Sequence, residues 1–291
     1  MKEINIFCFG FGQVAKKFIE KINKEKIHLN LTTTSRKATG VKDFKNISYK
    51  SYQFSEDSFD EKMLNDLNKS DHILISISPV NGEDIVIKKL QNLLESSNAK
   101  WITYLSATSV YGDHNGEWVD EESKTNPTSS MGINRLEAEN SWVNLSIKKN
   151  LPVQIFRLAG IYSNEKNILL RLKSGNEKII DKKDHFFSRI HVEDIASVLF
   201  KSLENFKSKE IYNIADDRPA SSKEVAFYGS KILEIKNPET IEVSAIDSEV
   251  LKNFYKDSKK VSNKKMKKFF DYELKYPSYV EGLNYILKNN I

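Results

Sequence analysis

The stretch 3-EINIFCFGFGQVA-15 decides the fold of this chain of 291 residues. Its first seven residues are mostly apolar, which is typical of a strand buried on both faces of a sheet. GFGQVA then opens a helix predicted over residues 13–24, with Val14 and Phe18 on its apolar face. A strand, a glycine turn and a helix in direct succession predict the first unit of a parallel sheet.

Strand and helix patterns alternate through the first half of the chain, which predicts an α/β fold built on a Rossmann-type doubly wound parallel sheet. Further strands are predicted at 28–34, 47–53, 72–78, 101–106 and 152–158. The helices between them are predicted at 59–68, 83–97 and 130–148.

The alternation loosens after residue 160. Short strands are predicted at 177–180, 186–190 and 210–214, and helices at 192–205, 221–233, 246–254 and 278–288. We therefore expect a Rossmann domain over residues 1–160 and a smaller C-terminal α/β subdomain over residues 161–291, interleaved with the first.

Composition excludes several classes of protein. No stretch approaches the roughly 18 apolar residues that cross a bilayer, so we expect no membrane association. The single cysteine, Cys8, cannot form an intramolecular disulfide, and the first residues lack a signal-peptide pattern, so a cytoplasmic location is expected. The basic run 252–270 contains no recognisable nucleic-acid module, which favours a solvated helix face over a nucleic-acid partner. No metal site is predicted.

The glycine turn predicts a nucleotide site. Gly10 permits a tight turn, Gly12 lets the backbone approach a pyrophosphate, and Ala15 allows close packing of helix on strand. The helix N-terminus offers backbone N–H groups and a positive dipole end to phosphates. The alternative is a glycine turn that binds nothing. The cofactor contacts expected from this stretch are Gly10, Phe11, Gly12, Gln13 and Val14.

The end of the second strand decides between the two nicotinamide dinucleotides. An acidic residue there would accept hydrogen bonds from a ribose 2′-hydroxyl, but this chain has Ser35 and Arg36. A hydroxyl and a guanidinium suit a 2′-phosphate, so NADP(H) is favoured over NAD(H). The alternative is that Arg36 is a surface cation. At the end of the fourth strand, room for the cofactor is expected beside Ser76, Ile77 and Ser78.

Two further motifs lie together in the middle of the chain, and three more follow them. The first two are 102-ITYLSATSVYGD-113, a strand with its loop, and 131-MGINRLEAE-139, the start of a helix. The later motifs are 157-RLAGIY-162, 187-FSRIHVEDIA-196 and 211-IYNIADDRPAS-221. In this order the motifs resemble the extended short-chain dehydrogenase/reductase family of NAD(P)-dependent epimerases and dehydratases. The similarity runs over about residues 3–288 and is greatest to an atypical branch that lacks the usual active-site tyrosine.

The resemblance implies a proton relay at three positions: a hydroxyl residue at 107, a tyrosine at 131 and a lysine at 135. This chain has Ala107, Met131 and Arg135 there. Met131 has no exchangeable proton and cannot act as a general acid or base, whereas Arg135 can still hold a ribose or a phosphate. The candidate catalytic residues are therefore Thr108, Tyr111 and Arg135, with Tyr162 and His191 as further substitutes.

The resemblance also implies contacts at the nicotinamide end of the cofactor and on the substrate side. At the nicotinamide end the expected residues are Ser106, Arg135, Leu158 and Gly160. On the substrate side they are Arg189, His191 and Arg218. Other roles remain open: His191 is either a substrate contact or a packed histidine, Tyr111 is either catalytic or structural, and Asp194 is expected to support a loop.

These observations predict an NADP(H)-binding protein similar to the epimerases, dehydratases and oxidoreductases of that family, with an altered catalytic site. Its expected partner is a small-molecule substrate, either phosphorylated or a sugar derivative, and the chain is expected to be a monomer or a homodimer. The alternative is a non-catalytic dinucleotide-binding module with a structural, redox-sensing or partner-binding role.

Overall fold

The computed structural model describes residues 3–175 and 178–290. Within these residues the strands, numbered in chain order, are β1 Glu3–Phe9, β2 His28–Ser35, β3 Gly40–Phe44, β4 Ile47–Gln53, β5 His72–Ile75, β6 Trp101–Ala107, β7 Trp118–Val119, β8 Val153–Leu158, β9 Gly160–Tyr162, β10 Ile179–Ile180, β11 Arg189–His191, β12 Ile211–Ile214, β13 Thr240–Ile241 and β14 Lys260–Val261. The helices are α1 Gln13–Lys24, α2 Met63–Asn68, α3 Ile85–Glu95, α4 Ser130–Lys149, α5 Ile168–Lys173, α6 Val192–Lys201, α7 Ser222–Ile232, α8 Glu249–Phe254, α9 Lys264–Phe270 and α10 Tyr279–Asn290. Short 3₁₀ turns occupy Thr108–Tyr111 and Val243–Ala245.

The predicted doubly wound sheet is confirmed. Its eight strands lie in the order β12-β8-β6-β5-β1-β2-β4-β3, and β1 pairs in parallel with both β2 and β5. The strand order therefore reverses beside β1, which places a crevice at the carboxyl ends of β1 and β5. Ligands of open α/β sheets bind in such a crevice.

The edge of this sheet differs from the sequence prediction, which contained no strand between 34 and 47. Strand β3 pairs antiparallel with β4 and forms a hairpin whose two-residue turn is Lys45 and Asn46, both with positive φ (50° and 64°). Positive φ at both positions is the conformation of a type I′ turn. The turn was missed because Lys45 is not one of the residues that ordinarily signal it.

Other element boundaries also differ from the predicted ones. Strand β5 ends at Ile75 rather than at residue 78, and helix α2 begins at Met63 rather than at 59. The basic run 252–270 is not one helix, because α8 ends at Phe254 and α9 begins at Lys264. Residue 177, the start of one predicted strand, lies outside the described residues.

The chain divides into two compact units. The first comprises residues 1–106, 134–157 and 195–212, and the second comprises 107–133, 158–194 and 213–291. The predicted division at residue 160 is a simpler scheme and stays a prediction. Among the described residues, no helix has the length and apolar character needed to cross a membrane.

Each unit has its own apolar core. In the first unit, Phe7 and Phe9 of β1 pack with Trp142 of α4 and with Leu90 of α3. In the second, Tyr162 packs with Leu169, Val225 and Leu283 in one cluster. A smaller cluster there holds Ile180, Ile246 and Tyr255.

Candidate functional site

Gly10 closes the turn between β1 and α1, and the structure shows why glycine is needed there. Its φ is +84°, in the region that side chains rarely adopt. A Cβ would also lie 2.7 Å from Cγ2 of Ile77, just after β5. The amide of Gly10 donates to Oγ1 of Thr34 at 3.0 Å, which ties the turn to β2.

Gly12 is different, because nothing lies within 4 Å of the position that a Cβ would take. Its backbone is extended (φ −82°, ψ −169°), so the open space and not the backbone conformation distinguishes it. Helix α1 begins directly after it, with no side-chain cap and no acidic residue in its first turn. This open, positive helix end fits the phosphates of a dinucleotide.

The side chains of Phe11 and Val14, on either side of Gly12, pack against other protein side chains and do not line the open space. The ring of Phe11 packs against Phe44 and Tyr49 of the hairpin, with centroids 5.4 and 5.0 Å away. Val14 is buried in the core at 5% exposure. Any contact of Val14 with a cofactor would therefore come from its backbone.

At the end of β2, Ser35 is half-buried and Arg36 is exposed. Among the described residues, Arg36 has no carboxylate partner and no hydrogen bond. The turn after it is fixed by Thr39, whose Oγ1 accepts from the Gln53 amide and donates to Asp60. The guanidinium of Arg36 is thus a free cation on an anchored turn.

Arg135 is held at one position by three hydrogen bonds. Its Nη1 donates to the Tyr104 hydroxyl at 3.2 Å and to the Leu105 carbonyl at 3.0 Å. Its Nη2 donates to Oγ of Ser78 at 3.0 Å. Burial raises the pKa of the Tyr104 hydroxyl, so Tyr104 stays neutral beside this cation. Two residues predicted from separate motifs, Ser78 and Arg135, are therefore brought together.

Ser106 belongs to a buried network that sequence reasoning missed. Its hydroxyl donates to Glu139 at 2.7 Å, and the Glu139 carboxylate also binds the guanidinium of Arg157 through both Nε and Nη2. All three residues are at most 4% exposed. A buried ion pair needs such additional hydrogen bonds to be stable, so in this structure the Ser106 hydroxyl supports the pair. Its predicted role in cofactor binding stays a prediction.

Ala107 and Met131, the residues at the predicted relay positions, have side chains without an exchangeable proton. Ala107 is the last residue of β6, and Thr108 begins the following 3₁₀ turn. The Met131 side chain is 59% exposed at the start of α4. Beside it, a Cβ on Gly132 would lie 2.8 Å from the Ser109 carbonyl, which explains the glycine of this motif.

The two candidate substitute tyrosines are both buried. Tyr111 is completely buried, and its hydroxyl donates to Oδ1 of Asn213 at 2.8 Å. The Tyr162 hydroxyl donates to the Ser278 carbonyl at 3.3 Å, and burial raises its pKa far above its usual value. Gly282 packs against this ring so closely that a Cβ would lie 2.1 Å from the hydroxyl. Both tyrosines have a structural role.

The predicted substrate-side residues make protein contacts in the second unit. Arg189 donates through Nη1 to the carbonyls of Phe187 and Ala220. Arg218 pairs with Glu224 at 2.8 Å in an exposed position. His191 is buried, packs on Tyr276 with centroids 4.1 Å apart, and accepts from the Glu193 amide at Nδ1.

Two acidic residues of the second unit, Asp194 and Asp216, are more buried than the sequence indicated. Asp194 accepts from the Tyr272 hydroxyl and the amides of Lys275 and Tyr276, so it supports a loop as expected. Asp216 is 1% exposed, and burial raises its pKa well above its usual value although the Arg189 charge opposes the shift. No local pattern indicates a buried carboxylate after a strand.

Leu158 and Gly160, predicted at the nicotinamide end, flank the start of β9. Leu158 is 7% exposed, whereas Gly160 is exposed and its amide donates to the Ser188 carbonyl at 3.0 Å. A Cβ on Gly160 would lie 3.3 Å from that carbonyl, a tight contact just before β11. Their cofactor roles stay predictions.

Comparison with known proteins agrees with this architecture. The model of the NAD dependent epimerase/dehydratase family matches residues 83–215. No curated protein matches the chain. The structure of a functionally unknown conserved protein from Silicibacter pomeroyi DSS is similar, with 29% sequence identity, 98% of each chain covered and a TM-score of 0.86.

Two enzyme structures share the fold at lower identity. One is the dTDP-glucose 4,6-dehydratase of Bacillus anthracis in complex with NAD, with 18% identity, 98% and 97% coverage and a TM-score of 0.75. The other is the UDP-glucuronic acid 4-epimerase of Bacillus cereus in complex with NAD, with 16% identity, 98% and 99% coverage and a TM-score of 0.75. Residues 83–215 thus match the model of this family, and the chain shares its fold with these dehydratase and epimerase structures.

Proposed function

We propose that this chain, which carries an NAD-dependent epimerase/dehydratase-family domain, binds NADP(H) in preference to NAD(H). The observation that carries the preference is Arg36, an exposed arginine directly after β2 with no carboxylate partner among the described residues. A planar guanidinium matches a phosphate through two hydrogen bonds. The ribose of NAD(H) lacks this phosphate and therefore carries no negative charge for the Arg36 guanidinium to bind.

The residues present fit a dinucleotide. The open position at Gly12 and the uncapped start of α1 would hold the pyrophosphate, and the anchored Arg135 would hold the ribose at the other end. A bound nicotinamide supplies a hydride donor or acceptor. The chain's own contribution at these positions is to orient that group, because the Met131 side chain has no exchangeable proton and Arg135 is held by three hydrogen bonds.

The substrate class follows from the same site and from the structural neighbours. The UDP-glucuronic acid 4-epimerase has a sugar nucleotide as its substrate. We infer a phosphorylated or sugar-derived small molecule as the substrate here. Its conversion would need a proton donor other than residue 131. We also infer a cytoplasmic protein that is either a monomer or a homodimer.

The cofactor preference is tested by titrating NADPH and NADH into the wild type, Arg36→Ala and Lys37→Ala. Losing a charge-assisted contact costs about 1.5–3 kcal/mol, so Arg36→Ala should weaken NADPH binding by roughly 10- to 150-fold and leave NADH binding unchanged. Lys37→Ala removes the same charge from the next exposed residue and is the control for long-range electrostatics. Equal affinities of the wild type for both cofactors would refute the preference.

A second candidate function is a non-catalytic dinucleotide-binding module. It is favoured by Ala107 and Met131 at the relay positions and by the Tyr111 hydroxyl, which is already bonded to Asn213. Native mass spectrometry distinguishes the two. A nucleotide that co-purifies together with a sugar-derived metabolite supports an enzyme. A nucleotide alone, with no turnover of keto-sugars, supports the module.

A further inference from the structure

Lys42, in the hairpin at the sheet edge, extends its side chain toward the end of β2. It lies outside the motif of Ser35 and Arg36, on which the predicted cofactor preference depends. Strand β4 lies between β2 and β3, with Ser51 opposite Thr33 and Gln53 opposite Ser35. On the other side of β4, Lys42 lies opposite Tyr49, one step along the same face from Ser51. The Lys42 backbone is four residues short of the level of Ser35, so only the long side chain of Lys42 extends along this face toward the end of β2.

A chain of hydrogen bonds connects the two positions. Nζ of Lys42 donates to Oγ of Ser51 at 3.2 Å, and Oγ of Ser51 donates to Oγ of Ser35 at 3.4 Å. Ser51 is 2% exposed, so its hydroxyl forms hydrogen bonds with protein groups and not with solvent. The ammonium of Lys42 is thus held one hydroxyl away from Ser35, which directly precedes Arg36.

Lys42 and Lys50, two lysines of the hairpin, differ in whether a carboxylate lies near the ammonium group. Within the described parts of the chain, Lys42 has no carboxylate within ion-pair distance. Lys50, on the opposite face of β4, lies 3.8 Å from Asp66 and over the ring of Tyr52. An ammonium bonded to one hydroxyl keeps two further donors for a ligand.

We propose that Lys42, positioned by Ser51, is a second cation for the 2′-phosphate of NADP(H), acting with Ser35 and Arg36. This inference rests on the proposed cofactor preference. A phosphate monoester carries nearly two negative charges at pH 7, more than Arg36 alone neutralises. Lys42 adds a compact point charge, and the buried Ser51 hydroxyl restricts the side chain in advance, which lowers the entropy cost of binding.

The test uses two fragments of the cofactor, 2′,5′-ADP and ADP, titrated into the full chain by calorimetry. Lys42→Met should weaken 2′,5′-ADP binding by about tenfold or more and change ADP binding less than about twofold, because one charge-assisted contact is lost. Ser51→Ala should give a smaller loss in the same direction. Lys42→Arg should restore part of the affinity. Lys50→Met changes the net charge equally and should leave both affinities unchanged.

The outcomes separate this inference from the proposed function. A wild type that prefers 2′,5′-ADP, with a Lys42→Met variant that keeps the preference, overturns the role of Lys42 and leaves Arg36 in place. A wild type without any preference between the fragments overturns both. Equal losses in Lys42→Met and Lys50→Met would show a general charge effect and would also overturn the inference. Melting temperatures of all variants verify that they are folded.

Discussion

The glycine turn at residues 10–12 and the segment 107–132 both follow a strand of the main sheet, yet they differ in what they retain. The turn keeps each feature that a dinucleotide needs: a closed position at Gly10 and an open one at Gly12. The later segment has two closely packed glycines, Gly112 and Gly132, both in close contact with the backbone, but its predicted relay positions hold Ala107 and Met131, which have no exchangeable side-chain proton. Binding geometry and acid–base chemistry are therefore separable in this fold.

The difference also concerns charge. In the turn, positive potential comes from the helix N-terminus and from an exposed arginine. In the second unit, ionisable groups are buried and their pKa values are shifted, as for Asp216 and His185. Burial disfavours the charged form of both groups. The first region is open and positive, as proposed for a nucleotide site, whereas the described side-chain contacts of the second unit are made with its own residues.

The largest expected effect is at Gly12. Gly12→Val should reduce nucleotide affinity by at least about 1,000-fold, roughly 4 kcal/mol, because the side chain fills the space next to the helix N-terminus. Its apo melting temperature should change by only a few degrees, since Gly12 has extended backbone and no atom within 4 Å of its Cβ position. Calorimetric titration and thermal unfolding measure the two effects.

Gly10→Val is the matched variant. It should lose fold stability as well as binding, because it combines a φ of +84° with a contact of 2.7 Å to Ile77. If both variants bind nucleotide normally, the turn is only structural, and the contrast with the segment 107–132 disappears.

The second expected effect is a pH dependence of stability that comes from His185. Burial, aided by the positive charge of Lys182, lowers the pKa of His185 to about 4, and its ring lies between Phe187 and Tyr255. The folded state therefore binds fewer protons than the unfolded state between pH 6.5 and 4. The contribution of His185 to stability is present above pH 6.5 and is lost as the pH falls, by about 3 kcal/mol at pH 4.

Urea unfolding at several pH values measures this loss. His185→Phe should flatten the difference between pH 7 and pH 4 relative to wild type. The same substitution at His28, whose ring is 65% exposed, is the control. If His185→Phe and wild type lose stability in parallel on acidification, the ring of His185 is not a buried neutral group.

The smallest effect is expected at Tyr111. Tyr111→Phe removes a buried hydrogen bond to Asn213 and should cost about 1–2 kcal/mol in the free energy of unfolding. Turnover of carbonyl substrates with NADPH should not fall, and Met131→Ala, at an exposed side chain, should alter neither stability nor turnover. Turnover that collapses in Tyr111→Phe with little loss of stability would show that the proton donor has moved to Tyr111.

Sequence patterns predicted the elements that depend on local periodicity. Strand β1, helix α1 and strand β4 have the predicted bounds, because their apolar spacing and flanking turns lie within a few residues. The hairpin turn at Lys45 was not predicted, because its backbone conformation is stabilised by pairing with β4 and not by turn residues of the usual kind.

The sequence by itself determined the parallel sheet, the glycine turn and the absence of a proton donor at residue 131, because each depends on residue type at a position fixed by a local motif. Only the tertiary structure decided which side chains serve the fold. The Tyr111 hydroxyl bonds to Asn213, 102 residues away, and Arg135 is anchored by Tyr104 and Ser78. Lys42 reaches Ser35 only through Ser51 on the strand between them. Such partners are distant in sequence, and tertiary packing, not local pattern, brings them together.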